Sequence, residues 1–373
     1  MKITCSREYL LSAFVTACSV VKANNAKAIL CNIKMEALPN QVILMAGDSE
    51  IRMRIELNDV TVEDSGSVVL PPGKFRSVLT ESSGETITLE TEGTRTNIYV
   101  GGSRFTFPTD DPEDFPPVES FALENYYVFP SNKFCEAIHY SLSACDPSAG
   151  RAVLTGLLLD LNQDSSVAHV IATDTRRMAH YKMTYGVVGA EASMNHSAII
   201  PKSTLQLMEK AFGSSSNEVY ITIESNKLIV SNGQITVHAQ LIEGTYPGWQ
   251  RVFPENPVHI VEANVGSLFS GMRQASIVTT SDYPGVDLTF TDKSLTLTGQ
   301  SPEQGESNVV LDSIHIDGEA LVVKLLPTYV MDVLRVLDMG GTVKMFLFEG
   351  NRPVVFRPTE DLEYAVMPLV RPR

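Results

Sequence analysis

Hydrophobic and polar positions follow one arrangement three times along the chain. In each copy an apolar strand pattern ends near a proline and a short amphipathic helix follows. An alternating pattern broken by glycine or asparagine then predicts a β-hairpin. The copies centre on Pro71, Pro201 and Pro327, so they recur about every 130 residues, a typical domain length. Three similar domains favour part of a symmetric or circular object over a single catalytic cleft.

Each third of the chain also begins with a predicted helix. The helices start at Ser6, Ser131 and Asn264. These residue types accept hydrogen bonds from the free amide groups of a first helical turn. Leu10 and Phe14 illustrate the helical spacing of the apolar residues that follow.

Two β-rich runs around a polar turn follow each first helix. The three segments are VILMAGDSEIRMRIEL, AHVIATDTRRMAHYKM and LTLTGQSPEQGESNVVL. PTDDPEDFPPVES and EGTYPGWQRVFPENP act as connectors, and the first fits an exposed linker. The pattern predicts an α+β protein of three tandem domains, each with two helices packed on antiparallel sheets, at residues 1–124, 125–254 and 255–373.

Charge and composition narrow the function classes. The formal net charge is −15, which by itself argues against nucleic acid because an acidic surface repels phosphate. The chain lacks the apolar run of about 18 residues that a membrane span needs, and its first residues lack a signal-peptide core. We therefore expect a cytoplasmic protein. Five cysteines without a CxxC pair favour buried free thiols.

Four common nucleotide-binding and catalytic motifs are missing from the sequence. It has no GxxxxGK[ST], GxGxxG, GxSxG or HExxH segment, and its seven histidines lack metal-ligand spacing. We predict no catalytic residue, no metal and no cofactor. Two alternatives stay open: a metal-dependent nuclease or hydrolase that uses the carboxylates of Asp110, Asp111, Glu113 and Asp114, and a monomeric β-rich scaffold without a DNA role.

Basic residues lie on or beside the predicted helices. Solvated helix faces commonly carry lysine and arginine. The functional alternative is that all six helices face one side and hold phosphates without reading bases. The residues concerned are Lys22, Arg76, Lys133, Lys202, Lys210, Arg273 and Arg335.

Several segments together resemble the bacterial sliding clamp family, the β subunit of DNA polymerase III. They are SRFTFPTDDPEDFPPV, ATDTRRMA, GTYPGWQRVFP and YAVMPL, and the resemblance covers essentially the whole chain. It implies three clamp domains and a head-to-tail homodimeric ring with twelve helices inside. Such a ring encircles double-stranded DNA without sequence preference, is opened by an ATP-using clamp loader, and tethers the replicative polymerase as a non-catalytic processivity factor.

The resemblance also implies a groove between the second and third domains that binds a short partner motif rich in Gln, Leu and Phe. Its aliphatic residues would bury the Leu and Phe side chains, and its arginines with Thr173 would orient the partner's backbone and Gln. Carried over by motif, the groove residues are Leu154, Thr173, Arg177, Met178, Pro247, Arg251, Val252, Val366, Met367, Pro368 and Leu369.

The resemblance further implies a ring interface between domain one of one protomer and domain three of its partner. Aromatic packing should dominate it, because an isolated exposed ion pair contributes only about 0–1 kcal/mol. In that interface Phe105 and Phe107 would meet Ile277 and Val278, and Lys74 would lie near Glu303 or Glu306.

Three positions depart from the family pattern. Thr175 stands where the family often has glycine, and Arg176 where it often has His or Tyr. We expect both to affect partner preference. Asn24 stands where a clamp often places a DNA-contacting arginine, and Lys22 or Lys27 can substitute for it.

Overall fold

The structure is a computed structural model of the chain. The residues it describes are 1–148, 150–162, 165–189, 197–213, 218–314, 316 and 319–369. Its contacts divide into two compact units, which are described separately. Unit 1 comprises Met1–Cys135, Tyr185–Met194 and Ser203–Leu241, and unit 2 comprises Glu136–Thr184, Asn195–Lys202 and Ile242–Arg373.

The described residues contain six α-helices, two in each third of the sequence, as the periodicity predicts. In chain order they are α1 (Arg7–Cys18), α2 (Pro72–Glu81), α3 (Ser131–Ser141), α4 (Lys202–Phe212), α5 (Val265–Ala275) and α6 (Pro327–Arg335).

The strands are antiparallel throughout and include each strand pair that the sequence predicts. In chain order they are β1 (Lys2–Ser6), β2 (Ile33–Leu38), β3 (Gln41–Gly47), β4 (Ile51–Leu57), β5 (Val60–Asp64), β6 (Gly66–Leu70), β7 (Thr86–Glu92), β8 (Arg95–Val100), β9 (Ser103–Pro108), β10 (Tyr126–Pro130), β11 (Gly156–Asn162), β12 (Val167–Thr173), β13 (Arg177–Thr184), β14 (Gly186–Val188), β15 (Ser197–Pro201), β16 (Glu218–Ile223), β17 (Lys227–Ser231), β18 (Ile235–Gln240), β19 (His259–Asn264), β20 (Val286–Phe290), β21 (Leu295–Ser301), β22 (Gly305–Leu311), β23 (Leu321–Leu325), β24 (Thr342–Leu347), β25 (Val354–Arg357) and β26 (Leu362–Val366).

Two of the three predicted helix caps form. The Ser6 hydroxyl accepts a hydrogen bond from the Tyr9 amide at 3.4 Å, and the Asn264 side chain accepts one from the Ser267 amide at 2.9 Å. Ser131 differs because it is the first residue of α3, and its hydroxyl donates to the carbonyl oxygen of Phe212 at 3.1 Å. It therefore satisfies a free carbonyl at the end of α4.

The nine-stranded sheet of unit 1 joins strands from the first two thirds of the sequence. Its order is β14-β10-β16-β17-β18-β4-β3-β2-β6. Strand β18, the last of the second third, pairs with β4 of the first third, and Val237 lies opposite Met53. We call this pairing the first seam. Both side chains are fully buried, so the seam has an apolar core.

The eight-stranded sheet of unit 2 joins the second and last thirds in the same way. Its order is β15-β11-β12-β13-β26-β25-β24-β19. Strand β26, the last of the final third, pairs with β13, the counterpart of β4, and Tyr364 lies opposite Ala179. We call this pairing the second seam. In both seams, the last strand of one third pairs with the third strand after the first helix of the preceding third. This one pairing rule joins consecutive thirds twice.

The remaining counterparts of these strands, β9 and β22, both lie at sheet edges. Strand β9 ends the five-stranded sheet β5-β1-β7-β8-β9 of unit 1, and β22 ends the four-stranded sheet β22-β21-β20-β23 of unit 2. Neither strand has a buried side chain. An edge strand presents free amide and carbonyl groups to a further strand.

Apolar side chains of the helices pack against one another. In the first third, the rings of Phe14 on α1 and Phe75 on α2 meet edge to face, with centroids 4.8 Å apart. In the last third, Met272 on α5 and Val333 on α6 are fully buried. Among the described residues, no helix is both long and apolar enough to cross a membrane.

The expectation of an exposed linker after residue 108 is wrong for two side chains. Phe115 and Val118 are 3% and 4% exposed, and they pack with Leu30, Ile43 and Met45 in unit 1. Burial of each apolar side chain contributes about 1.5–3 kcal/mol. The linker is therefore fastened to the first domain by its apolar residues, while its acidic residues face solvent.

All five cysteines are free thiols, as the sequence predicts. The expectation that they are buried is right for Cys5 and Cys145 and wrong for the other three, which are half-buried. Burial raises the pKa of Cys5 to about 12 and that of Cys145 to about 11. These two thiols are therefore protonated and unreactive at neutral pH.

Replacing Phe115 by alanine tests the fastening of the linker. We expect the Phe115→Ala variant to lose about 3 kcal/mol of stability, because the change removes a buried ring and leaves a cavity. Faster hydrogen exchange in strand β3, which carries Ile43 and Met45, reports the local effect. The exposed neighbour provides the control, since Glu113→Ala should leave exchange unchanged. Equal exchange in both variants would show that the linker is not fastened.

Candidate functional site

The turn between β12 and β13 is held by its own side chains. The Thr173 hydroxyl donates to the carbonyl oxygen of Arg177 at 2.7 Å and accepts from the Thr175 amide at 3.0 Å. The Asp174 carboxylate accepts from the amides of Arg176 and Arg177, both at 2.9 Å. Polar side chains that replace missing backbone partners stabilise tight turns. The turn therefore has a fixed shape.

Thr175 occupies a strained position in this turn. Its φ is 75°, in the left-handed region, where a residue with a side chain is disfavoured. This explains physically why glycine suits the position. The side chain of Thr175 is exposed, so the strain comes from the backbone and not from crowding.

Arg177 forms ion pairs inside the protein. Its side chain is 8% exposed, its Nε lies 3.1 Å from Asp174 Oδ2, and its Nη1 lies 2.6 Å from Asp332 Oδ2 on α6. The guanidinium also stacks over the Tyr329 ring, 4.4 Å from the ring centroid. Arg177 thus fastens the hairpin to α6.

The C-terminal segment runs along this hairpin. Val366, fully buried, lies opposite Arg177 in the second seam. The Met367 amide then donates to the carbonyl oxygen of Arg176 at 2.8 Å, and the Leu369 amide donates to that of Lys324 at 2.8 Å. Met367 is 36% exposed. The segment thus presents an accessible methionine beside the β12–β13 turn.

The second connector, residues 243–257, packs on the other side of the hairpin. Tyr246, Trp249 and Val252 pack on a buried cluster that includes Met178. Val252 also packs against the apolar cluster around Phe348, on the β24–β25 side of the sheet. Pro247 and Arg251 are exposed. The connector therefore places two exposed groups next to a closed apolar core.

The predicted groove residues all lie in unit 2. The packing and strand pairing described above bring most of them to one region. Met178, Val252 and Val366 are linked by the packing and pairing just described. Leu154 is 1% exposed, at the end of a short turn. Thr173 and Arg177 were expected to orient a partner, but both are engaged within the protein. The accessible groups are Pro247, Arg251, Met367, Pro368 and Leu369, together with Arg176.

Sequence reasoning missed several residues that shape this region. Tyr329 and Asp332 anchor Arg177, and their spacing of three on α6 places them on one helix face. Tyr246 and Phe253 belong to the buried side of the connector. The aromatic content of GTYPGWQRVFP was the available signal, since exposed linkers rarely carry so many rings.

The basic residues predicted to face DNA sit on the helices or directly after α1. Lys27, Arg76, Lys210, Arg273 and Arg335 are exposed. Lys133 and Lys202 are half-buried. Lys22, Lys27, Arg76, Lys133 and Lys210 belong to unit 1, and Lys202, Arg273 and Arg335 to unit 2.

Lys22 and Arg335 form ion pairs with carboxylates of the same chain. Lys22 Nζ lies 2.6 Å from Asp48 and 3.3 Å from Glu50. Burial alone would raise the pKa of Asp48, but hydrogen bonds from Lys22 and from the amides of Ile51 and Glu50 hold it below its usual value. Arg335 pairs with Asp332 at 3.0 Å. Lys22 therefore adds less positive potential than Lys27, and Arg335 less than Arg273.

The predicted interface residues lie at the two free sheet edges. Phe105 and Phe107 are half-buried on β9, and Lys74 is exposed on α2 of the same unit. Ile277, directly after α5, is 76% exposed. The Ser307 hydroxyl on β22 donates to the carbonyl oxygen of Ala275 at 2.8 Å and ties this edge to α5. Val278 is half-buried, and Glu303 and Glu306 are exposed.

The acidic residues of the linker take part in local turns. The Asp111 carboxylate accepts from the Glu113 amide at 3.0 Å, and that of Asp110 accepts from the Asn32 side chain at 3.4 Å. Within the described ranges, no group of three or more His, Cys, Asp or Glu side chains is arranged to hold a metal ion.

Replacing Thr175 by glycine should stabilise the protein. Strain of about 1–2 kcal/mol is relieved, and glycine's extra backbone entropy offsets about 0.5–1 kcal/mol of it, so a net gain of about 0.5–1 kcal/mol is expected. Denaturant unfolding monitored at the Trp249 fluorescence measures it. Thr175→Ala is the matched control because it keeps a Cβ in the strained conformation. A gain as large for alanine as for glycine would refute backbone strain as the cause.

Comparison with known proteins accounts for nearly the whole chain. Three models of the DNA polymerase III beta subunit match it: the N-terminal domain at residues 1–119, the central domain at 129–248 and the C-terminal domain at 250–370. The beta sliding clamp of Staphylococcus aureus strain Mu50 is 26% identical over 97% of this chain and 96% of its own length. That of Staphylococcus epidermidis is 28% identical over the same shares.

Solved structures share the fold. The sliding clamp of Bacillus subtilis superimposes with a TM-score of 0.89 at 22% identity, covering 100% of both chains. The beta subunit of Streptococcus pyogenes gives 0.91 at 21% identity, again over 100% of both. The three matched models, one for each domain, show that the chain belongs to the bacterial DNA polymerase III beta subunit family, the beta sliding clamps.

Proposed function

We propose that this protein is the sliding clamp of a replicative DNA polymerase. It is a non-catalytic, homodimeric ring that encircles double-stranded DNA in the cytoplasm and keeps the polymerase on its template. The proposal rests on family membership and on one structural observation. A single strand-pairing rule joins consecutive domains twice, and the two strands that would repeat it, β22 and β9, are free edges.

Ring closure follows from the repeat. When β22 of one protomer pairs with β9 of its partner, the pairing of the two seams is used again, and head-to-tail contact closes a dimer. Domains near 1–124, 125–254 and 255–373 then alternate around the ring. Phe105 and Phe107 pack against Ile277 and Val278 of the other protomer, with Lys74 near Glu303 or Glu306. Two copies supply twelve helices, six from the described residues of each chain.

The helices face the DNA in this proposal. Exposed lysine and arginine side chains contact phosphate oxygens, which are the same for every base sequence. Binding is therefore independent of sequence and weak enough to allow sliding. The net charge of −15 then resides mainly on the outer surface, away from phosphate.

The groove of unit 2 binds partner motifs in this proposal. Val252, Met367 and Leu369, which are exposed or half-buried, offer apolar surface to Leu and Phe side chains, and burial contributes about 25 cal/mol per Å². Methionine adapts its shape to different partners. The exposed Arg251 and Arg176 are placed to orient the peptide. The replicative polymerase, the clamp loader and repair proteins share this groove.

Release from linear DNA tests the ring. The protein, loaded on a nicked circular plasmid by a clamp loader, should stay bound through gel filtration and dissociate when the plasmid is cut, because a ring slides off free ends. A monomeric scaffold would not be retained at all. Retention unchanged by cutting the plasmid would overturn the ring.

Variants at the interface sharpen this experiment. Ile277→Glu places a charge in the proposed interface, so it should give a monomer by light scattering and no retention on the circle. Met339→Glu is a matched control, since Met339 is 41% exposed and lies outside the interface; it should remain dimeric.

Removal of residues 367–373 tests the groove. Deletion should abolish binding of a fluorescent peptide with the motif Gln-Leu-Ala-Leu-Phe, because Met367, Pro368 and Leu369 are lost. Fluorescence polarisation measures binding, and light scattering confirms the dimer. Loss of the dimer would instead show that these residues are structural, and peptide binding of normal affinity would place the site elsewhere.

A further inference from the structure

Two histidines form a hydrogen-bonded chain beneath the connector. His169 on β12 and His180 on β13 stack with their ring centroids 5.2 Å apart, and His169 Nδ1 lies 2.9 Å from His180 Nε2. His180 Nδ1 lies 3.4 Å from Glu363 Oε2 on β26. His180 is 3% exposed. The chain therefore connects the centre of the hairpin to the strand of the second seam.

The carboxylate fixes the direction of these hydrogen bonds. Glu363 pairs with Arg357 at 2.5 Å, and its pKa is lowered chiefly by the His180 hydrogen bond, against burial and with help from Arg357. An ionised carboxylate only accepts, so His180 donates from Nδ1. When both rings are neutral, His180 accepts at Nε2 and His169 donates from Nδ1.

The connector rests on the two rings. The Trp249 ring lies 4.9 Å from His169 and 4.6 Å from His180, centroid to centroid. The Phe253 ring lies 5.5 Å from His180. The Val252 amide donates to the carbonyl oxygen of Trp249 at 3.1 Å. The contacts of the Trp249 and Phe253 rings thus fasten the connector on both sides of Arg251 and Val252.

We propose that His169, His180 and Trp249 position the groove residues Pro247, Arg251 and Val252, so that the protonation state of the histidine pair sets the affinity for partner peptides. None of the three needs to touch the peptide. They act through the short connector, in which Trp249 lies two residues from both Pro247 and Arg251. This inference rests on the proposed peptide-binding function.

Charging both rings is incompatible with this arrangement. N–H groups would then face each other across 2.9 Å, and two cations would share a buried site. Asp160 on β11 and Glu363 on β26 attract protons, while Lys182 on β13 and Arg357 on β25 repel them. The connector presents the uncharged rings of Trp249 and Phe253 to the pair.

The sign of the pH effect follows from this geometry. Burial, and then the neighbouring His180, lower the pKa of His169 below its usual value of 6.5. A free imidazole therefore binds more protons at acid pH than His169 does in the folded protein. The packing of the connector on the two histidines is fully stable above about pH 6.5 and is lost as the pH falls.

Variants of Trp249 test the positioning role. Trp249→Ala should raise the Kd for the Gln-Leu-Ala-Leu-Phe peptide about tenfold or more, because the connector loses its anchor. Trp249→Phe keeps a ring on the histidines and should restore binding to within about threefold of the parent. Gln250→Ala, at an exposed neighbour, should bind normally. Parent-like binding by Trp249→Ala would overturn the proposal.

A pH profile separates positioning from a general loss of packing. The parent's Kd should be constant from about pH 7 to 8 and rise at least about fivefold by pH 5. His169→Asn keeps a donor near the position of Nδ1 but does not titrate, so its profile should be flat. His139→Asn, at an exposed histidine on α3, should follow the parent. A His169→Asn profile that follows the parent would overturn the role of the pair.

The outcomes also separate this inference from the function it rests on. Failure of the parent protein to bind the peptide at neutral pH would refute the groove itself. Normal parental binding without the Trp249 and His169 effects would refute only the positioning role. Circular dichroism at each pH confirms that every variant is folded.

Discussion

Antiparallel pairing between strands of successive domains is the interaction on which the rest of this structure depends. Backbone amides and carbonyls must find partners when they leave water, and each seam supplies them along a whole strand. The first seam buries Val237 against Met53, and the second buries Tyr364 beside Ala179. Strands β9 and β22 lie at sheet edges, so their outer amides and carbonyls still need such partners. In the proposed dimer these two strands would satisfy each other.

The second seam also builds the proposed groove. Its register places Val366 opposite Arg177, and the next residue, Met367, continues the bonding to Arg176. A shift of one residue would turn Val366 to the opposite face of the sheet. Domain pairing and the proposed groove therefore depend on one set of backbone hydrogen bonds.

Strand β13 divides its work between the two faces of the sheet. Arg177 points toward Tyr329 and Asp332 on α6, whereas Met178 and His180 point toward the connector. Alternation along a strand makes this possible. The hairpin is therefore fixed from both sides, by the Arg177 ion pair on one face and by the packing of the connector on the other.

The sequence by itself determined the three repeats, the six helices, the strand pairs and the family, because hydrophobic periodicity and turn residues are local properties. It also singled out Thr175, although only the structure gave the reason, a left-handed backbone. Tertiary structure alone decided that Phe115 and Val118 close the first domain's core and that Arg177 is held by Asp332. It also decided that His169, His180 and Trp249 meet. These contacts join residues far apart in the chain, and no local pattern specifies which distant surface a side chain will reach.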